Sequence, residues 1–487
     1  MKKYFLLACA FCAFGVADAA TIQFSSPDKK LQVTVADDGG RPTYRVVCGE
    51  TVFLEQSPLG LLTNIGDFSQ GMTLQESSFS SSPVSGHYEL PTIKRSKVDV
   101  RATKAVCPFY KDGKHIFDVV FHVSDHDVAF KYKMYPQGNT LCCVVKEETT
   151  GFVLPQGTTT FLCPQAGPMG GFARTSPSYE TSYTADGEMG KNGWGNGYTF
   201  PCLFRTGNKG WVLISETGVD SRYCASRLMG KDGGLYTIGF PQEGEYNGNG
   251  TACPGIALPG ETPWRTVTVG QTLAPIVETT IPYDVVEPLY EPSRRYVYGR
   301  GTWSWIIAGD NSMNYDEQKR YVDFAADMGY ESVLVDAWWD SRVGYERTAE
   351  LARYAAGKGV GLYLWYNSNG YWNDAPQGPR GRIRGIKVDF IGSDKQQTMQ
   401  LYEDILADAN DYGLMVIYHG CTLPRGWERM YPNFVASEAV LASENLNFSQ
   451  KSCDAEAFNA CLHPFIRNTV GSMDFGGSAL NKYYNAK

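Results

Sequence analysis

Ser332-Val-Leu-Val-Asp-Ala-Trp-Trp-Asp340 decides the fold. An apolar, strand-type run closes on a carboxylate, and a helical stretch, Glu346–Ala356, follows it. The same alternation continues on both sides. Gly301–Ile306 reads as a strand, and Tyr315–Gly329 as a helix with Tyr321, Val322, Ala325 and Met328 on one face. Strands are expected at Val360–Trp365, Ile386–Ile391 and Leu414–His419, with a helix over Asp394–Ala409. Apolar strands alternating with amphipathic helices imply a parallel sheet, and a (β/α)8-type TIM barrel is its commonest enzymatic form. Two features leave that barrel incomplete. The connection 366–385 holds no helical pattern where a parallel crossover needs one, and only Cys461–Ile466 remains to supply a last strand.

Upstream the pattern is different. Leu31-Gln-Val-Thr-Val35 and Phe130-Lys-Tyr-Lys-Met134 alternate apolar with polar, and Gly, Pro, Asn, Asp and Ser clusters separate short runs. That is the signature of an antiparallel β-sandwich. The proline-rich stretch Pro282–Arg300 separates the two patterns, placing a β-sandwich domain at 20–288 and the barrel at 289–487. Residues 1–19 read as a signal peptide: basic Met1-Lys-Lys3, an apolar core from Tyr4 to Val16, and a small-x-small site at Ala17-Asp-Ala19. Export, to the periplasm, is the expectation. No later run is long and apolar enough to span a bilayer. The cysteines show no metal-type spacing.

A net charge of −8 without any basic run argues against a nucleic-acid partner. With 30 Tyr, 24 Phe and 10 Trp, the chain is rich in rings that suit either sandwich cores or stacking on the C–H face of a sugar. Barrels carry their chemistry at the C-terminal ends of strands. Here those ends hold Asp336, Asp389 and His419, with Glu438 and Glu444 following in Ser-Glu-Ala-Val-Leu-Ala-Ser-Glu. A carboxylate ending an apolar strand is costly unless it is paired or working, although Asp336 alone could cap a helix. Paired carboxylates beside tryptophans fit acetal hydrolysis, which needs an acid for the leaving oxygen and a carboxylate to meet the anomeric carbon. No Gly-x-Ser-x-Gly elbow, phosphate loop or dinucleotide fingerprint competes, and His122 and His463 read as scaffold histidines.

Gly385-Ile-Lys-Val-Asp-Phe-Ile-Gly-Ser-Asp-Lys-Gln396 resembles glycoside hydrolase family 97, as do 26–33, 57–61, Trp211–Gly218 and Tyr431-Pro-Asn433. The resemblance implies a sandwich packed on a barrel, a bound calcium ion, and exo-acting cleavage of an oligosaccharide with a terminal α-linked sugar. It matches Asp389 to the nucleophile of the retaining, α-galactosidase-like branch, and Glu444 to the acid/base. The inverting branch lacks that Asp and places a Glu directly after the His, where Gly420 stands here. These are two independent marks of retention. The resemblance also matches Glu216, Glu438 and Glu444 to calcium ligands, and Trp303, Asp336, Trp338, Lys387 and His419 to the sugar pocket. An α-glucosidase of the same family is one alternative; a non-catalytic or truncated carbohydrate-binding relative is another. The family's helix before Gly385 and its C-terminal β-domain are the two departures.

Overall fold

The computed structural model describes residues 19–170, 176–368 and 383–476. The signal-peptide reading and most of the 366–385 connection lie outside them. A four-stranded antiparallel meander over residues 21–58 faces a large antiparallel sheet of thirteen strands, with a small three-stranded sheet beside them. The alternation seen in the sequence is the burial pattern. Leu31, Val33 and Val35 are fully buried, while Gln32 and Thr34 are half-exposed. Phe130, Tyr132 and Met134 point inward, and Lys131 and Lys133 lie on the other face. Aromatic rings knit the two sheets, with Tyr44 5.0 Å from Phe130 and Phe24 5.2 Å from Phe121. Much of the aromatic surplus is therefore sandwich core.

Residues 285–300 carry neither helix nor strand. Six parallel strands follow in sequential order: β1 (Gly301–Trp303), β2 (Ser332–Val335), β3 (Gly361–Asn367), β4 (Gly385–Asp389), β5 (Met415–Tyr418) and β6 (Phe434–Ser437). The accompanying helices are α1 (Tyr315–Asp327), α2 (Tyr345–Gly357), α3 (Gln396–Asp411) and α4 (Gln450–Leu462). The result is a curled half-barrel.

Three sequence expectations need correction. β1 stops at Trp303 because Ser304 C=O accepts from the amides of Ile307 and Ala308, turning Trp305–Ala308 into a helical turn. Met328 lies past the last residue of α1 and is 50 % exposed, so the buried stripe is Gln318, Val322 and Ala325. Cys461–Ile466 is not a strand. Ser449 caps α4 by accepting from Ser452 N, and Pro464, in the turn that follows, has no N–H for a ladder. The seventh parallel position begins later, where Met473 bridges to Ser437.

Sandwich and half-barrel meet through buried ions. Arg425 Nε donates to Glu216 Oε1 at 2.6 Å, and Glu216 also pairs with Arg265, itself bound to Glu148. Tyr179 OH donates to Asp394 at 2.8 Å and accepts from Arg425 Nη2 at 2.8 Å. Among the described residues, no helix is long and apolar enough to cross a membrane.

Candidate active site

The strand ends converge on a cavity of about 600 Å³ lined by Glu180, Trp303, Trp305, Asp336, Trp338, Trp365, Lys387, Asp389, His419 and Glu444, among others. Asp336 directly follows β2. Its Oδ2 accepts from Trp303 Nε1 at 2.7 Å and lies 3.4 Å from Lys387 Nζ, whose charge sits 4.0 Å above the Trp303 ring. Burial alone would lower the Lys387 pKa, but Asp336 and neighbouring carboxylates raise it, so it stays cationic. A buried carboxylate beside a buried ammonium offers an acceptor and a donor to adjacent sugar hydroxyls.

Asp389 ends β4. Trp365 Nε1 donates to its Oδ2 at 2.9 Å, and Phe390 N to its Oδ1 at 2.7 Å. The carboxylate is thus aimed before substrate arrives. Burial raises its pKa, while His419 and Lys387 pull the other way.

His419 follows β5 and is the hub of an acid cluster. Its Nδ1 lies 2.9 Å from Asp474, and its Nε2 lies 3.0 Å from Glu444 and 3.2 Å from Glu438. Burial opposes protonation of the imidazole, but Glu438, Glu444 and Asp389 together raise its pKa well above the usual value. Burial would raise Glu444, yet the His419 cation lowers it; Asp474 is lowered in the same way. Glu438 is pushed up by burial and by Glu180, and its Oε1, although 3.2 Å from His419 Nε2, makes no hydrogen bond.

Four backbone positions at these strand ends lie in the left-handed region: Trp338 (φ 72°), Phe390 (φ 69°), Gly420 (φ 49°) and Ala439 (φ 42°). The last three directly follow Asp389, His419 and Glu438. Each non-glycine residue there costs about 1–3 kcal/mol, tolerated where surrounding structure fixes a side chain for use. Gly420 matters most. A Cβ there would stand 2.8 Å from Asp389 Oδ1 and 3.1 Å from Phe390 N. The two marks of retention are therefore not independent: the chain carries Asp389 where position 420 has no side chain.

The structure brings together every expected residue except Glu216. That carboxylate is fully buried between Arg265 and Arg425 and also accepts from Ser226 N at 2.8 Å, so its charge is spent at the domain interface. The sandwich domain sends Glu180 to the pocket instead. Glu180 lies on an irregular loop after Tyr179, whose own backbone is left-handed (φ 67°). Burial and the Glu444 charge raise its pKa to about 7. No periodicity marks this loop, so sequence reasoning missed it. Asp474 was missed too; only its place after the Met473 bridge identifies it.

Ligand atoms of His419, Glu438 and Glu444 lie within 4.8 Å of one another. With Glu180 lining the same cavity and raised by the Glu444 charge, several acids crowd one buried spot, and Glu438 Oε1 makes no hydrogen bond. That is a donor set for a hard divalent cation.

A buried carboxylate at the pocket base, a second acid held by an imidazole, and a tryptophan-lined, sugar-sized cavity define a glycosidase. Residues 24–288 match the Glycosyl-hydrolase 97 N-terminal family and 296–440 match Glycoside hydrolase 97. The chain belongs to glycoside hydrolase family 97. It is 31% identical over 481 residues to a probable retaining alpha-galactosidase of Streptomyces bingchenggensis, spanning 94% of this chain and 69% of that one. It is 25% identical over 520 residues to a retaining alpha-galactosidase of Bacteroides thetaiotaomicron, spanning 99% and 76%. A crystal structure of a beta-arabinopyranosidase superposes with a TM-score of 0.90 at 56% identity, over 95% of this chain and 76% of that one.

Proposed function

We propose that this protein is an exo-acting, retaining glycosidase that removes a terminal sugar of α-D-galacto ring geometry. The observation that carries the reading is Asp389: a buried carboxylate fixed at both oxygens and facing the cavity that Glu444 also lines. Asp389 attacks the anomeric carbon as the glycosidic C–O bond breaks, and the leaving oxygen takes a proton from Glu444. His419 Nε2 stands 3.0 Å from Glu444 Oε1, within reach to exchange the proton that Glu444 must carry. Glu444, now a carboxylate, then removes a proton from the water that attacks the glycosyl-enzyme, and Asp389 departs. Asp336 and Lys387 bind sugar hydroxyls at the pocket base.

Glu180, Glu438 and Glu444 would hold a divalent cation, calcium by the family resemblance, with His419 as a neighbour rather than an oxygen ligand. When bound, the ion supplies positive charge that offsets the carboxylates and polarises a substrate oxygen. The basic-then-apolar N-terminus supports export to the periplasm as the setting.

A second substrate is favoured by the 56%-identical beta-arabinopyranosidase. A β-L-arabinopyranoside has the ring of an α-D-galactoside without its exocyclic hydroxymethyl group, so the same residues can face both. Proton NMR of the first-formed anomer, using p-nitrophenyl α-D-galactopyranoside, β-L-arabinopyranoside and α-D-glucopyranoside, tests the reading. Retention on either of the first two supports it. Inversion, a preference for the glucoside, or no turnover by the folded protein overturns it.

A further inference from the structure

We propose that Arg467 is a positioning residue for proton delivery: it sets Glu438 and Asp474, the acids beside the two ring nitrogens of His419, and Lys94 of the sandwich domain pins its turn. The inference rests on the glycosidase reading above and adds to it two residues that do not line the cavity. Arg467 is buried and opens the short turn Arg467–Thr469 that follows α4. Its guanidinium makes five hydrogen bonds, all to backbone carbonyls. Three of these lie at the end of β6: Nη2 donates to Ser437 at 2.9 Å and to Glu438 at 3.1 Å, and Nε to the left-handed Ala439 at 3.1 Å. The other two precede the seventh parallel position, with Nη1 donating to Gly471 at 3.0 Å and Nη2 to Ser472 at 2.7 Å.

With carbonyls alone as acceptors, this buried guanidinium carries a desolvation cost that an apolar side chain of similar size would avoid, so core filling does not account for it. What it does is close a seam between two chain segments. Ser437 C=O, held by Arg467 Nη2, also accepts from Asp474 N at 3.1 Å, and Met473 bridges to Ser437. Asp474 Oδ2 thereby stands 2.9 Å from His419 Nδ1, while Glu438 Oε1 stands 3.2 Å from Nε2. An arginine suits the seam because its planar fork spreads five N–H groups over both segments, where a lysine offers three from one point. The turn is also pinned from the other domain. Lys94, between the sandwich strands Ser80–Glu89 and Lys97–Lys111, donates through Nζ to Thr469 C=O at 2.8 Å and to Val277 C=O at 2.6 Å. With an acid set at each ring nitrogen, His419 keeps its Nε2 at 3.0 Å from Glu444 Oε1.

The test compares two aryl glycosides of whichever sugar the wild-type protein releases. The 2,4-dinitrophenyl glycoside has a phenolate that leaves without a proton, and the phenyl glycoside has a leaving oxygen that needs one. In Arg467→Met, kcat/KM on the phenyl glycoside should fall about 10²-fold, with the dinitrophenyl glycoside changed less than about threefold. Lys94→Met should show the same selectivity with a phenyl loss of about tenfold, and Lys94→Arg, which keeps donors for both carbonyls, should keep both rates. Urea unfolding establishes that each variant is folded; where Arg467→Met is not, Lys94→Met decides alone. Equal loss on both substrates, or no loss on the phenyl glycoside, in a folded Met variant overturns the assignment. Failure of the wild-type protein to release either phenol would instead sink the glycosidase reading.

Discussion

Gly420→Ala is the sharpest perturbation the site offers. The added methyl would stand 2.8 Å from Asp389 Oδ1, against ordinary contacts of 3.4–4 Å, on a backbone at φ 49°. Asp389 cannot swing aside freely, because Trp365 Nε1 and Phe390 N hold its two oxygens at 2.9 and 2.7 Å. The left-handed backbone costs an alanine about 1–2 kcal/mol. Overpacking against a fixed group adds about 1–3 kcal/mol. Displacing the attacking oxygen by up to about 1 Å costs on the order of 10²-fold in kcat. The assay is kcat on the preferred aryl glycoside, with urea unfolding of the single and double variants followed by tryptophan fluorescence. In an Asp389→Ala background the overlap with the carboxylate disappears, so Gly420→Ala should cost only the backbone strain and the remaining contact with Phe390 N. The cycle should return a coupling of about 1–2 kcal/mol. Wild-type kcat in Gly420→Ala, or equal destabilisation in both backgrounds, would refute the steric link.

Three further outcomes follow from the acid cluster and the interface. A chelator should lower both activity and Tm, and calcium at about 100 Kd should restore about 2.7 kcal/mol of stability, read by thermal unfolding. A Tm indifferent to chelator and calcium counts against a cation at Glu180, Glu438 and Glu444. In chelator, stability should fall as pH rises from 5 to 7. Glu180, Glu438 and Asp389 have folded pKa values above their unfolded ones, Glu180 moving from 4.5 to about 7, so the folded state keeps protons the unfolded chain has lost. Glu444 and Asp474 are shifted down and act mainly below this window. Glu180→Gln should flatten the slope; a profile that rises over the same range contradicts the assignment. Arg425→Met should destabilise by about 3–5 kcal/mol, because it strips a buried partner from Glu216 and Tyr179. A change below 1 kcal/mol in urea unfolding would show that the interface ions are screened by water.

Much of this site could be read without coordinates, for a physical reason. Asp336, Asp389 and His419 each close an apolar strand, and strand-end polarity is visible in a string of letters. The alternation at Leu31–Val35 and Phe130–Met134 likewise maps directly onto burial, since side chains on a strand must alternate. What could not be read is whatever depends on an irregular loop or a long-range partner. Glu180 enters the pocket from another domain, with its loop pinned through Tyr179 to Asp394 and Arg425. Glu216 is the converse: the family resemblance matched it to a calcium ligand, but two arginines distant in sequence pair with its carboxylate. Asp310 shows only as a surface acid in the sequence, although it holds two pocket indoles.

The left-handed turns at three strand ends explain why these residues come as a set. A strand that simply continued would point alternate side chains into the barrel wall. The reversals at Phe390, Gly420 and Ala439 instead end each strand directly after Asp389, His419 and Glu438. They also link consecutive strand ends, once through the backbone and once through a side chain: Phe390 N donates to His419 C=O at 3.2 Å, and Gly420 N donates to Glu438 Oε2 at 2.7 Å. A carboxylate added at position 420 would therefore have to displace both Asp389 and the Phe390 turn. Exchange of Asp389 alone leaves a gap beside Gly420, and a side chain at 420 alone collides. A change of mechanism at this site requires both substitutions together, which makes the Asp389/Gly420 pair a single structural unit.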